Sequence, residues 1–137
     1  MALIETAINL NGFFSNQINK IPIGQPATKA YIAGILAKPA KDLSNKSLTI
    51  IYSQAKFEYR FDLFQQLADY ILFSKIVFPE SLNAADQTYY NALAQNSYYT
   101  CYRLINKQWV LFEELADMFP AIVSQTRKSI SNLLPQL

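Results

Sequence analysis

The sequence contains no histidine and only one cysteine, Cys101. Without histidine the chain lacks the usual general base, the Ser-His and Cys-His nucleophile pairs and most zinc sites. A single cysteine excludes an internal disulfide and a cysteine-cluster metal site. Because Cys101 lies on the apolar face of a tyrosine-rich predicted helix, we expect a buried, unreactive thiol. Any enzyme chemistry would have to use carboxylate, lysine or tyrosine side chains, and we expect no cofactor.

Signals for secretion or membrane insertion are also missing. The first ten residues include Glu5 and no lysine or arginine, and they contain no continuous apolar run, so they do not resemble a signal peptide. The densest apolar stretch, residues 70–78, is far shorter than a span of about 20 residues and contains Lys75. We therefore expect a cytoplasmic protein with no membrane span.

The positive charge of the chain is small and dispersed. The net charge is +2, and the lysines of residues 1–56 stand singly, with no arginine among them. Proteins that follow a phosphate backbone carry clustered lysines and arginines. Nucleic acid is therefore not an expected partner.

Glycine is scarce and unevenly placed. The chain has three glycines, the last of which is Gly34, so residues 35–137 contain none. Hairpin turns and phosphate-binding loops normally need glycine, and long glycine-free stretches favour helices. With 51% hydrophobic and 14% aromatic residues the chain is also well suited to form a core. The sequence predicts an all-α fold.

Apolar residues recur at helical spacing in four segments, residues 47–56, 57–77, 83–105 and 107–132. The composition of the first would also allow a strand. We expect Pro79 to end the second helix, Asn83 to cap the third and Pro120 to kink the fourth. These four helices predict a compact bundle over residues 47–137.

Residues 1–46 predict a weaker helical arm within the same domain. An apolar stripe from Leu3 to Ile18 has helical spacing, but the asparagines around it weaken the helix, so we expect it to need a surface to pack against. Pro26 suits the start of a short second helix that Pro39 would stop, and a polar linker follows.

Asp69 is the main candidate for a functional side chain. It lies where the predicted helix 57–77 becomes apolar on nearly all sides, and a buried carboxylate is costly unless it is hydrogen-bonded. One interpretation is a structural acceptor for a tyrosine hydroxyl or a helix N-terminus. The other is a ligand-binding or acid-base group, with Tyr90 and Tyr98 lining the same cavity.

A divalent cation is a further alternative at Asp69. Glu113, Glu114 and Asp117 could bring a second carboxylate to it, since carboxylate oxygens suit such cations. Their other interpretation is the solvated face of the last helix.

Several short segments resemble a group of uncharacterised bacterial helical proteins. The segments are residues 67–73 (LADYILF), 78–82 (FPESL), 89–90 (YY), 97–98 (SY) and 113–116 (EELA), followed by Phe119. The resemblance covers roughly residues 47–125. It implies a helical fold and no particular activity.

Two functions fit these observations. The first is a non-enzymatic interaction or structural protein, acting as a homo-oligomer or with a protein partner, because aromatic side chains are enriched at interface centres. The alternative is a small-molecule or metal-binding helical protein, conceivably an enzyme, with Asp69 in a tyrosine-lined cavity. A closed pocket beside Asp69 would favour the second, and an exposed aromatic patch would favour the first.

Overall fold

The computed structural model describes residues 12–22, 24–38, 41–44, 46–82 and 86–131. Within these ranges every regular element is helical and none is a strand, which confirms the predicted all-α fold. Residues 12–18 form the described part of α1. The later elements are α2 (Pro26–Ala37), α3 (Leu48–Glu58), α4 (Phe61–Val77), a 3₁₀ turn (Pro79–Ser81), α5 (Gln87–Leu104), α6 (Val110–Asp117) and α7 (Phe119–Ile130).

Helix α4 is the centre of the fold and packs against α2, α3, α5 and α7. Its second half is apolar almost all round, and such a helix must be enclosed by others. The buried apolar residues there are Leu67, Ala68, Tyr70, Ile71, Leu72 and Ile76. Arg127 of α7 donates to the Ile76 carbonyl oxygen at 2.7 Å, which places a cation at the negative end of α4. In the described ranges no helix has both the length and the hydropathy to cross a bilayer.

The boundary between α3 and α4 differs from the predicted one. The helix expected over 57–77 begins at Phe61, because α3 continues to Glu58 and the chain then turns. Tyr59 ends α3 in the left-handed conformation (φ 52°), and the Arg60 amide donates to the Ala55 carbonyl oxygen at 3.1 Å. At the other end, the Ser47 side chain caps α3 by accepting from the Ile50 amide. The segment that allowed a strand is thus a capped helix.

Three non-glycine residues of the described chain have positive φ, namely Tyr59, Asn106 and Lys107. They form the turn between α3 and α4 and the loop between α5 and α6. The two connections lie at the same end of the bundle, since the Cys101 thiol near the end of α5 is 3.8 Å from the Phe61 carbonyl oxygen at the start of α4. Asparagine tolerates this conformation, whereas tyrosine and lysine adopt it only at a steric cost, and the chain has no glycine after residue 34 to take their place.

We expect Tyr59→Gly to stabilise the fold. Glycine adopts positive φ without the steric cost that a Cβ imposes, and about 0.5–1 kcal/mol should remain after the larger entropy of the unfolded chain is subtracted. Urea unfolding of both proteins measures the difference. Tyr59→Ala is the control, because alanine removes the ring and retains the Cβ. Equal stability of the two variants would contradict a backbone origin.

The helix predicted over 107–132 is two helices. The kink expected at Pro120 is a complete break, because α6 ends at Asp117 and α7 begins at Phe119. Proline lacks an amide hydrogen and suits the first turn of a helix, where that hydrogen has no intrahelical partner. The described part of the preceding helix starts at Gln87, and the predicted cap Asn83 lies outside the described residues.

The described part of the N-terminal arm belongs to the same core as the bundle. Phe14, Ile18 and Ile21 are buried with the interior residues of α2 and α4. The Ser129 hydroxyl of α7 donates to the Gln17 carbonyl oxygen at 2.9 Å. The apolar stripe thus packs on the protein's own helices from Phe14 onward. Its first residues, Leu3 to Leu10, and Pro39 lie outside the described ranges.

Candidate functional site

Asp69 lies in the middle of α4, where the polar stripe of its first turns ends. Both of its carboxylate oxygens are used. The Tyr31 hydroxyl of α2 donates to Oδ1 at 2.7 Å and Oδ2 at 2.9 Å, and the Tyr98 hydroxyl of α5 donates to Oδ1 at 2.7 Å. Gln65, one turn earlier on α4, donates to the Tyr31 oxygen at 2.9 Å. We call these four residues the Asp69 network.

An aromatic cluster encloses the Asp69 network. The Phe112 ring of α6 makes edge contacts with the Tyr31 ring at 5.7 Å and the Phe61 ring at 5.6 Å, and it lies 6.3 Å from the Tyr98 ring. Tyr98 and Phe112 are fully buried. Rings in edge contact pack favourably and exclude water, so the hydrogen bonds form in a low-dielectric environment.

Burial changes the acidity of the whole network. It raises the pKa of Asp69 from 3.8 to about 6, although the two tyrosine hydrogen bonds oppose this shift. Burial and the nearby carboxylate raise the pKa of Tyr31 and Tyr98 above the ordinary tyrosine value. Both hydroxyls therefore stay protonated and act as donors. The arrangement joins α2, α4 and α5 through one carboxylate.

The structural interpretation of Asp69, as an acceptor for a tyrosine hydroxyl, matches these contacts. Tyr98 was expected beside Asp69 only as a residue lining a ligand cavity, and it is one of the two donors. The structure does not bring Tyr90 to this network. Tyr90 is half-buried on α5 with its ring 5.6 Å from that of Tyr89, about 12 Å along the helix from Tyr98. Five surface cavities in the described part of the chain are lined by residues other than Asp69.

The structure gives no support to a cation between Asp69 and the carboxylates of α6. Among the described residues, no three acidic or cysteine side chains gather as metal ligands would. Glu114 instead accepts from the Gln25 amide at 2.6 Å, at the start of α2. A carboxylate is favourable there because the helix N-terminus carries partial positive charge. Glu114 thus joins α6 to α2.

Cys101 is fully buried, as the sequence predicted. Burial and the charge of Asp69 raise the pKa of its thiol to about 12. A thiol with so high a pKa is protonated at neutral pH and is a poor nucleophile. Cys101 therefore has the properties of a core residue.

Several of the exposed apolar side chains, among them the two most exposed, lie at the end of the bundle where the left-handed turns are. Phe57 is 87% exposed, Tyr59 is 80% exposed and Trp109 is 58% exposed. The Trp109 ring stacks on Phe112, which also contacts Phe61 at the start of α4. We call this region the aromatic end, and it comprises Phe57, Tyr59, Leu104, Trp109 and Val110.

A groove of about 580 Å³ runs between α3 and α5 and opens at the aromatic end. Its α3 wall is Tyr52 and Lys56, continued by Tyr59, and its floor is Phe64 of α4. Its α5 wall consists of Asn96, Tyr99, Thr100, Arg103 and Leu104. We call it the tyrosine groove. Sequence reasoning missed it, although the spacing of three, four, seven and eight residues along α5 places that wall on one helix face.

Comparison with protein families, with characterised proteins and with solved structures finds no significant match.

Proposed function

We propose that this protein is a non-enzymatic interaction module that binds another protein chain through the aromatic end. The observation that carries the proposal is the exposure of Phe57, Tyr59 and Trp109 around one end of the bundle. Exposed apolar residues are ordinary when they are scattered, whereas a rimmed group of them is typical of an interaction site. Tyrosine and tryptophan are also the residues that most often dominate binding energy at interfaces.

The position of Tyr59 supports this proposal. Its backbone has a conformation that favours glycine, and its ring is too exposed to contribute much to the core. Folding alone therefore gives no reason for a tyrosine there. Strained backbone positions concentrate at functional sites, where the surrounding structure maintains the strain because the residue has a function there. A role in binding supplies such a reason for the ring of Tyr59.

The competing function, a small-molecule site built around Asp69, has less support. The carboxylate already accepts three close contacts from two tyrosine hydroxyls. A ligand would have to displace these bonds and enter between the rings of Tyr31, Tyr98 and Phe112. A buried polar group left without its partner costs about 1–3 kcal/mol, so such a ligand would need to replace every contact.

Site-specific photo-crosslinking tests the proposed function. Benzoylphenylalanine is placed at position 57 in the cells that produce the protein, and at position 78 as the control. Phe78 is also exposed, at 46%, and it follows α4 at the opposite end of the bundle, about 25 Å away. We expect a light-dependent adduct of defined mass at position 57 and none at position 78.

The mass of the adduct identifies the kind of partner. An adduct of twice the chain mass indicates a homo-oligomer, and any other defined mass indicates a different protein. The absence of an adduct at position 57, or the same adducts at both positions, would show that the aromatic end is not an interaction surface.

A further inference from the structure

We propose that the tyrosine groove binds an acidic segment of the partner protein, one that carries an aromatic or leucine side chain between its carboxylates. This inference rests on the proposed function, because the groove opens at the aromatic end through Tyr59 and Leu104. It adds the chemistry of the partner and a second set of contacts.

The shape of the groove suits a chain segment. Its α5 wall extends over eight residue steps, about 12 Å, which is the length of three or four extended residues or two helical turns. The groove is partly open to solvent and reaches the aromatic end at Tyr59 and Leu104. A small ligand is usually enclosed over most of its surface, whereas a segment of a larger partner needs a channel with an open side.

The charge of the groove selects an acidic segment. Lys56 stands on one wall and Arg103 on the other, and none of the described residues that line the groove is acidic. Neither cation forms an ion pair with a described residue, and Lys56 instead lies 5.5 Å from the centre of the Tyr52 ring. The acidic residues that flank Tyr59 in the sequence, Glu58 and Asp62, are both paired with Arg60. Asp117 of α6 lines a separate cavity beside Asn96 and Tyr99.

The aromatic lining indicates the apolar part of the segment. The Tyr52 ring makes an edge contact with the buried Phe64 ring at 5.8 Å, and Tyr99 and Leu104 face them from α5. An aromatic or leucine side chain would cover these surfaces while flanking carboxylates reach Lys56 and Arg103. Such a centre with a charged rim is the usual arrangement of a binding hot spot.

Selection of phage-displayed random peptides on the full chain tests the inference. We expect the enriched peptides to combine aspartate or glutamate with phenylalanine, tryptophan or leucine. The double variant Lys56→Glu and Arg103→Glu should weaken the binding of those peptides by about tenfold or more, and binding should also weaken as salt is added. The matched control is Lys41→Glu with Lys46→Glu, which changes the net charge equally at exposed positions outside the groove.

The outcomes separate this inference from the proposed function. If the enriched peptides are neutral or basic, or if they bind both double variants equally, the inference that the groove binds an acidic segment is overturned. If benzoylphenylalanine at position 57 still gives an adduct, the proposed function survives that result. If phenyl phosphate binds at Lys56 and Arg103 and no peptide is enriched, the groove takes a small anion and the inference is overturned. Loss of a dimer in the groove variant alone would show that the groove binds a second copy of this chain, and the inference would then be overturned.

Discussion

The native protein should become less stable to unfolding as the pH rises from about 4 to about 6, and Asp69→Asn should abolish this loss. Burial raises the pKa of Asp69 from 3.8 to about 6, so the folded protein retains this proton in a range where the unfolded chain has released it. The free energy of unfolding must then fall as the pH rises through that range, by about 3 kcal/mol in total. Urea unfolding of both proteins at a series of pH values measures the difference.

Asp62→Asn on the same helix is the matched control. Asp62 is exposed, and its hydrogen bonds to Arg60 lower its pKa, so its contribution to stability is lost as the pH falls. The pH dependence removed by Asp62→Asn should therefore have the opposite sign. Parallel stability curves for the native protein and Asp69→Asn between pH 4 and pH 6 would show that folding does not raise the pKa of Asp69.

The same pair of variants separates the two interpretations of Asp69. Below about pH 5 the carboxyl of native Asp69 is mostly protonated in the folded state, so asparagine replaces one neutral side chain with another. The carbonyl oxygen of asparagine can still accept a hydrogen bond, but its NH2 group brings donor hydrogens that the Asp69 network does not pair. An unpaired buried donor costs about 1–3 kcal/mol. We therefore expect Asp69→Asn to be more destabilising than Asp62→Asn at low pH. We also expect it to leave peptide binding in the tyrosine groove unchanged.

The fold class could be predicted because it depends on local features. Helical spacing and the lack of glycine after residue 34 are visible in the sequence, and the described chain is helical over most of the segments where they predict helices. The end of α3 could not be placed, because Tyr59 and Arg60 are not residues that usually break helices. The left-handed turn there is imposed by the packing of α3 on α4, and tertiary packing overrides local propensity.

The site could be predicted only in part, for a related reason. The apolar surroundings of Asp69 follow from its own helix, so its need for hydrogen-bond donors was evident. The identity of the donors was not evident, since Tyr31 is 38 residues away and reaches Asp69 only because α2 packs on α4. The tyrosine groove has the same origin. Lys56 and Arg103 are far apart in the sequence. They line one groove only because α3 and α5 flank it in the folded protein.

Phe112→Ala should be among the most destabilising single substitutions in the protein. The Phe112 ring is fully buried and contacts four other rings, those of Tyr31, Phe61, Tyr98 and Trp109. Removal of a buried phenylalanine ring leaves a cavity and costs about 3–5 kcal/mol. Helix α6 has eight residues and would be marginal alone, so it depends on this burial. Thermal and urea unfolding measure the loss.

Phe112→Leu keeps the experiment informative if the alanine variant does not fold. Leucine fills part of the space and should cost less, yet it removes the edge contacts that shield the Asp69 network from water. The pKa of Asp69 should then move back towards 3.8, and the pH-dependent loss of stability between pH 4 and pH 6 should shrink. Phe78→Ala, at an exposed ring, is the control and should cost under about 1 kcal/mol. A loss at Phe112 no larger than at Phe78 would mean that the aromatic cluster neither holds α6 in place nor sets the acidity of Asp69.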